Sequence, residues 1–408
     1  MNKNLKTIID AIKSAAKEHD IHPQLVTKVM IIDKVSDWEI RKIGGLSGVL
    51  KAHFPQQDKD LASINNVKKQ ASYIQKLEKA LGEKIVNDER VLEIFNGLKL
   101  PKVKEYKSKK KSKISRAVNL VLSDLHFGSD ISKNKTGGLD FGKIEEARRL
   151  AKVTQEVITY KPQYRKETEL NVLLLGDLIQ NQLHDMRDGA PMAEQVCRAI
   201  HLLSQTLTHF TNNFPQVNVY VNSGNHGRNT SRHHNRAVND KWDSLESIIC
   251  YALKNTFKNV KNIKFEIPLT PYVTYEVFGK KIFASHGDTV IKPGFVGKSI
   301  NTGSLETQIN KINATLNDND EYAVFICGHI HTGSTTHLGN GAVMITNGAL
   351  VPSDEFAVSI GLLENSCGQM LFESVPGYPV GDVRFIRVNQ KDDENKELDK
   401  IIQKFTGL

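Results

Sequence analysis

The sequence predicts an α/β domain preceded by a small all-α one. Residues 1–100 carry apolar side chains at helical spacing, whereas residues 117–390 alternate short β-branched or aliphatic runs with longer amphipathic stretches. Five of the short runs break, at their C-terminal ends, into Asp, Asn or His. Open α/β sheets gather ligand sites beyond the carboxyl ends of their strands, so this recurrence points to one shared cavity.

Composition narrows the class. At 408 residues the chain exceeds what one hydrophobic core organises, and 39% hydrophobic with 25% charged residues is ordinary for a globular protein. No apolar stretch reaches the roughly 18 residues of a membrane helix. The N-terminus leads into an amphipathic pattern instead of a signal peptide's apolar core. The expectation is a cytoplasmic protein with no membrane partner. Cys197, Cys250, Cys327 and Cys367 stand singly, without C-x-x-C spacing, and read as lone buried thiols.

The first element is a helix over residues 4–19, where Leu5, Ile8, Ile9, Ile12 and Ala15 share one face. His22-Pro23 starts a second over 24–31. Ser36 caps a third, Glu39 completes a capping box, and Gly44-Gly45 ends it. Short helices with tight turns suit a helix-turn-helix unit. Residues 36–46, followed by Val49-Leu50-Lys51-Ala52, resemble the small helical repeats that accompany homing and HNH endonucleases. The resemblance implies DNA phosphate contacts by Arg41, Lys42 and Lys51, while Trp38 reads as core. The competing reading is a helical protein-interaction module.

Residues 59–98 read as further helix. Residues 102–116 are dense in like charge and read as a flexible, Lys-rich linker able to grip phosphates. Residues 1–116 hold 25 Lys and Arg against 14 Asp and Glu, a balance of +11, while residues 117–408 hold 30 against 32. A basic module ahead of a near-neutral domain suggests a polyanion held by one part and acted on by the other.

The five polar tips follow in order: Asp124-Leu-His126, Gly176-Asp177, Gly224-Asn225-His226, His286-Gly-Asp288 and Gly328-His329-Ile-His331. Alternation along a strand would send Asp124 and His126 to the same side. Between the first three tips lie predicted helices over 143–160 and 191–210, and residues 291–320 read as a loop plus helix. A set of Asp, Asn and His suits two cations about 3.5–4 Å apart, which clamp a phosphodiester and lower the pKa of a bridging water until hydroxide is available for in-line attack. A carboxylate is the natural bridge. So many imidazoles argue against Mg²⁺ or Ca²⁺ and for Mn²⁺ first, with Fe or Zn²⁺ as alternatives.

The pattern D-x-H, G-D, G-N-H, a later His and G-H-x-H, over about residues 117–350, resembles the calcineurin-like metallophosphoesterase superfamily, and within it the exonuclease branch. The resemblance implies a four-layer αββα sandwich behind the helical domain. One metal would take Asp124, His126, Asp177 and His331; the other would take Asp177, Asn225, His286 and His329, with Asp177 as bridge. His226 would stand over the scissile phosphate as general acid or charge stabiliser. Homodimerisation and an ATPase partner come with that branch by resemblance alone. The chain departs from the pattern at Gln180, where the superfamily commonly has an acid. It departs again at Gly227, where an Asp or Glu usually orients the histidine; Asp288 and Asp243 are the substitutes considered.

Beyond His331, residues 343–346, 356–362 and 383–388 read as strands completing the second sheet, and 391–408 as a charged tail helix. The loop after His226 offers Arg228, Arg232 and Arg236 to phosphates of a bound strand, with a solvated loop as the alternative; His184, on the loop after Asp177, is within reach of the leaving group but reads first as a lone surface histidine. The expected function is a dimetal phosphodiesterase acting on DNA, a nuclease. The alternatives are a phosphatase or nucleotide phosphodiesterase with a protein-binding N-terminus, and a DNA-binding scaffold with a decayed site.

Overall fold

A computed structural model describes residues 3–54 and 113–389, except 20–22, 24–25, 27–28, 32–33, 43–44, 182–188, 229–240, 242, 295–299, 317–319, 360 and 362–365. The chain divides into two units, Met1–Asp88 and Glu89–Leu408. The predicted helix within 59–98, residues 102–112 of the linker and the tail helix lie outside the described residues.

In the first unit, α1 (Lys3–Glu18) buries Ile8, Ile9, Ile12 and Ala15, with Leu5 partly buried beside them. Of the predicted helix over 24–31, Val26 is non-helical and Val29–Ile31 makes one 3-10 turn, so it is not a continuous α-helix; residues 24–25 and 27–28 lie outside the described residues. Val26 donates its N–H to the Pro23 carbonyl, and Val26 and Ile31 are buried. α2 (Asp37–Lys42) carries the expected capping box: the Ser36 hydroxyl accepts the Glu39 N–H at 3.3 Å, and the Glu39 carboxylate accepts the Ser36 N–H at 2.9 Å. Gly45, at φ 85°, closes the helix by donating to the Ile40 carbonyl. α3 (Leu46–His53) follows, burying Val49 and Leu50.

The second unit is built from strands whose two faces enter different cores. In β1 (Arg116–Leu122), Val118, Leu120 and Leu122 join one cluster while Ala117 and Val121 join another, as the two-residue period requires. β2 (Thr168–Leu175), β3 (Gln216–Asn222) and β4 (Ile263–Glu266) continue from β1 in parallel, because helices carry the chain back between them. On the far side of β1 lie β10 (Gly368–Ser374) and β11 (Val383–Arg387), both antiparallel to their neighbours. The second sheet runs β5 (Val273–Val277), β6 (Lys280–Ser285), β7 (Tyr322–Cys327), β9 (Val343–Thr346) and β8 (Ser334–His337), with β6, β7 and β9 parallel.

Helices cover both outer faces. After the single turn α4 (Lys133–Thr136), α5 (Lys143–Thr159), α6 (Met192–Asn213) and α7 (Leu245–Thr256) pack on the first sheet. α8 (Thr302–Asn313) sets Leu305 and Ile309 against Phe283, Phe325 and Met344 of the second sheet. The inner faces meet through Val121, Leu173, Ile282, Ala284, Val324 and Ile345. The architecture is therefore the four-layer αββα sandwich.

Two readings near the C-terminus need correction, and one strand went unpredicted. Residues 355–359 form a helix, α9 (Glu355–Ser359), not a strand; its first turn is capped by Asp354, which accepts the Ala357 N–H. β11 completes the first sheet rather than the second, since it pairs with β10. β10 itself was not read, because Gly368-Gln-Met-Leu-Phe-Glu-Ser is buried along its whole length and so shows no polar alternation.

Candidate metal centre

The five tips come from both sheets. Asp124 and His126 follow β1, Asp177 follows β2, and Asn225-His226 follows β3; His286 follows β6, and His329 and His331 follow β7. Backbone bonds continue past the strand ends: Asp124 N–H to the Gly176 carbonyl, His126 N–H to Asp177, and Gly328 N–H to His286. Across the sheets, His286 N–H donates to Asn222 Oδ1 at 2.9 Å, and His329 N–H reaches the Asp124 carboxylate at 3.0 and 3.1 Å. A Cβ on Gly224 would stand 2.1 Å from Asp177 Oδ1, and one on Gly176 2.2 Å from Gly224 N, so these two glycines let the tips touch.

Strand alternation does not bring Asp124 and His126 together. Both lie past β1 in the left-handed region, at φ 54° and 47°. Asp177, His329 and His331 share that conformation, so five of the eight described non-glycine residues with positive φ are proposed ligands. Such backbone is costly and persists where the surroundings over-determine it, typically at functional sites.

The seven ligand candidates meet. Among the described residues, three overlapping groups each have donor atoms within 4.8 Å of one another: Asp124, His126 and His331; His126, Asp177 and His226; and Asp177, His286 and His329. Asn225 joins the last through its Oδ1, 3.2 Å from His286 Nε2. Asp177 touches both halves: Oδ1 accepts the His226 N–H at 2.7 Å, and Oδ2 lies 3.1 Å from His286 Nε2.

The donor set fits divalent cations. His126 Nδ1 donates to Gln180 Oε1 at 2.7 Å, and His286 Nδ1 to the Leu175 carbonyl at 2.7 Å. Each therefore turns Nε2 inward, the outer-shell arrangement that fixes a ligand's tautomer. His126 Nε2 and His331 Nε2 stand 3.4 Å apart, and His331 Nε2 is 3.4 Å from Asp124 Oδ1. At that spacing a proton or a cation must lie between the facing nitrogens, and a metal ion can fill that place.

Electrostatics agree. Burial, reinforced by His226, presses His126 down to about 3, and burial with His286 presses His329 down to about 4, so both stay neutral as ligands must. Against the same burial, Asp177 lifts His286 to about 10, and Asp124 raises His331. Against burial too, His286 and His226 hold Asp177 well below the ordinary carboxylate range. Protonated His286 is thus the cationic partner of buried Asp177, a charge that a bound metal ion would replace.

His226 and its supports differ from the superfamily pattern. His226 Nδ1 donates to the backbone carbonyl of Gln180 at 2.6 Å, so Gln180 orients His126 with its side chain and His226 with its main chain. A single polar residue serves where the pattern has an acid. Asp288 does not substitute: it pairs with buried Lys241 at 2.5 Å, and Lys241 also donates to the Ser223 carbonyl. The residue missed by sequence reasoning is Glu246, in the first turn of α7 and fully buried. Its carboxylate accepts the Leu178 N–H at 2.5 Å and the Gly224 N–H at 2.7 Å, clamping the β2 and β3 tips. Burial, then the charge of Asp177, pushes it up to about 7. Ser244 capping that helix was the available signal.

The chain matches no protein-family model and no curated protein. Among solved structures it is similar to a single mutant of Vps29 from Entamoeba histolytica, at 12% identity, 66% of this chain, 98% of that one and TM-score 0.31. It is similar to a dimetal phosphatase from Danio rerio, at 14% identity, 66% and 95% coverage and TM-score 0.34. It is also similar to the calcineurin-like phosphoesterase YfkN from Bacillus subtilis, at 14% identity, 71% and 96% coverage and TM-score 0.31.

The expected nucleic-acid contacts are placed in part. Arg41 and Lys51 are exposed on α2 and α3; the Lys42 side chain lies outside the described residues. Arg228 is half-buried beside the site, its carbonyl accepting Asn181 Nδ2 at 2.6 Å. Arg232, Arg236 and His184 lie outside the described residues, and so does the Trp38 side chain. The four cysteines are free and buried, as expected. No described helix is long and apolar enough to cross a membrane.

Proposed function

We propose that this chain is a dimetal phosphodiesterase that cleaves DNA. The observation that carries the reading is the convergence of the side chains of Asp124, His126, Asp177, Asn225, His286, His329 and His331 on one largely buried site. Asp124, His126 and His331 would hold one cation, Asn225, His286 and His329 the other, and Asp177 would join them. When bound, two such ions supply charge to polarise phosphoryl oxygens and lower the pKa of water.

The chain's own residues supply the rest. His226 Nδ1–H is committed to the Gln180 carbonyl, so a proton given to a leaving oxygen must come from Nε2. Glu246 keeps the Asp177 and Asn225 tips in register, so the donors need no rearrangement. DNA, over a small diester, is supported by the +11 balance of residues 1–116 and by Arg41, Lys51 and Arg228. Mn²⁺ is the favoured metal from the imidazole-rich donor set.

The test presents purified protein and Mn²⁺ separately with linear DNA, a cyclic nucleotide, a chromogenic diester and a chromogenic monoester. Cleavage of DNA and of the diester is expected. Turnover of the monoester alone would replace this reading with the phosphatase one. Deleting residues 1–112, which leaves β1 intact, should weaken DNA binding and flatten its salt dependence while diester hydrolysis continues; equal DNA binding would remove the docking role.

A further inference from the structure

Beneath Asp124 lies a polar cluster in which every residue is fully buried: Ser123, Asn347 and Gln369 each have no exposed surface. It links β1, the segment after β9, and β10. Such groups are costly unless each donor finds an acceptor, and here the pairing allows one sense.

Gln369 Nε2 faces the carbonyls of Gly348 and Gly368, at 3.0 and 2.9 Å, so its Oε1 must be the end that accepts from Ser123 N–H and Asn347 Nδ2, each at 3.0 Å. Asn347 Oδ1 accepts the Met370 N–H at 2.7 Å, which turns its amide nitrogen toward Ser123 Oγ at 2.9 Å. The Ser123 oxygen is thereby an acceptor, and its one proton goes to Asp124 Oδ2, 2.5 Å away. Asp124 Oδ1 is the oxygen turned to His331.

We propose that Ser123, Asn347 and Gln369 are positioning residues: a hydrogen-bond wire of fixed polarity that holds Asp124 Oδ2 and presents Oδ1 to one metal ion. The proposal rests on the dimetal reading above and adds how the site controls that ligand's geometry. The wire starts at main-chain carbonyls, which can only accept, and ends at a carboxylate, which can only accept. Every amide and hydroxyl between them has its orientation dictated from both ends. Gly328 seals it, since a Cβ there would stand 2.3 Å from Ser123 Oγ and 2.5 Å from Asp124 Oδ2.

The test titrates metal-free protein with Mn²⁺ by calorimetry, comparing wild type, Ser123→Ala and Asn347→Asp. Ser123→Ala removes the donor. Asn347→Asp keeps the shape but removes the donor to Ser123 Oγ and Gln369 Oε1, so the Ser123 proton is no longer directed to Asp124 alone. Wild type should bind two ions; each variant should bind one about 10–100-fold more weakly and keep the other at wild-type affinity. Wild-type affinity at both sites in Ser123→Ala, or equal weakening at both, would overturn the wire. Should Asn347→Asp fail to fold, Ser123→Ala decides alone. Fewer than two ions in wild type would overturn the dimetal reading itself, and the wire with it.

Discussion

Replacing Gly227 with Asp would restore the carboxylate that commonly follows G-N-H in the superfamily this chain resembles, yet the structure predicts a loss. A Cβ at 227 would lie 2.3 Å from Ser244 Oγ, 2.7 Å from Glu246 Cγ and 2.8 Å from Glu246 Cδ. Neither neighbour can withdraw cheaply. Ser244 Oγ accepts the Glu246 N–H at 3.1 Å and donates to the Gly227 carbonyl at 3.0 Å, while Glu246 clamps Leu178 and Gly224. Overpacking of this kind costs about 1–3 kcal/mol. Pushing Glu246 off one buried N–H adds about 1–3 kcal/mol more. The sum, about 2–6 kcal/mol, corresponds to a fall of roughly 3–9 °C in Tm for a unit of this size, at about 2.1 cal/mol/K of unfolding entropy per residue. Thermal unfolding of Gly227→Asp measures it, beside Gly303→Ala as control, where the nearest atom to a new Cβ is 3.8 Å away. Diester hydrolysis should fall with stability, because the Asp177 and Asn225 tips hang on Glu246. An Asp variant as stable and as active as wild type would refute the steric argument.

Asp177→Ala should abolish uptake of both ions and cleavage, measured by metal analysis and diester turnover; retention of two ions would remove Asp177 as bridge. His226→Ala should lower diester hydrolysis by about 10²–10⁴-fold while metal content stays near two ions per chain. In metal-free protein, His126 and His329 have folded pKa values of about 3 and 4, below the ordinary 6.5, so their contribution is lost as pH falls below 6.5. His286, at about 10, contributes fully below 6.5 and loses that contribution as pH rises through 10. Metal-free stability should therefore peak near pH 6.5, and Mn²⁺ should remove the alkaline decline by displacing the His286 proton; unchanged pH profiles with and without metal would contradict this.

Much of the site was legible in the chain because its parts are local. A strand that must pack on both faces announces itself by composition, and a ligand at its end needs only adjacency, so Asp124 through His331 could be named in order. The Ser36–Glu39 box was likewise readable, since capping spans three residues. Elements without local contrast were not: β10 is buried throughout, and the turn around Val26 is decided by the core it fills.

The sequence by itself determined which side chains carry the chemistry and roughly where each strand stops. Tertiary structure alone decided that the tips divide between two facing sheets, that Asp124 and His126 meet through left-handed backbone instead of strand alternation, and that Gln180, Glu246 and the Ser123–Asn347–Gln369 wire support them. The reason is physical. A ligand's identity is set by its own chemistry, but its orientation is set by whichever donors and acceptors burial brings against it, often more than two hundred positions away, as Asn347 is from Ser123.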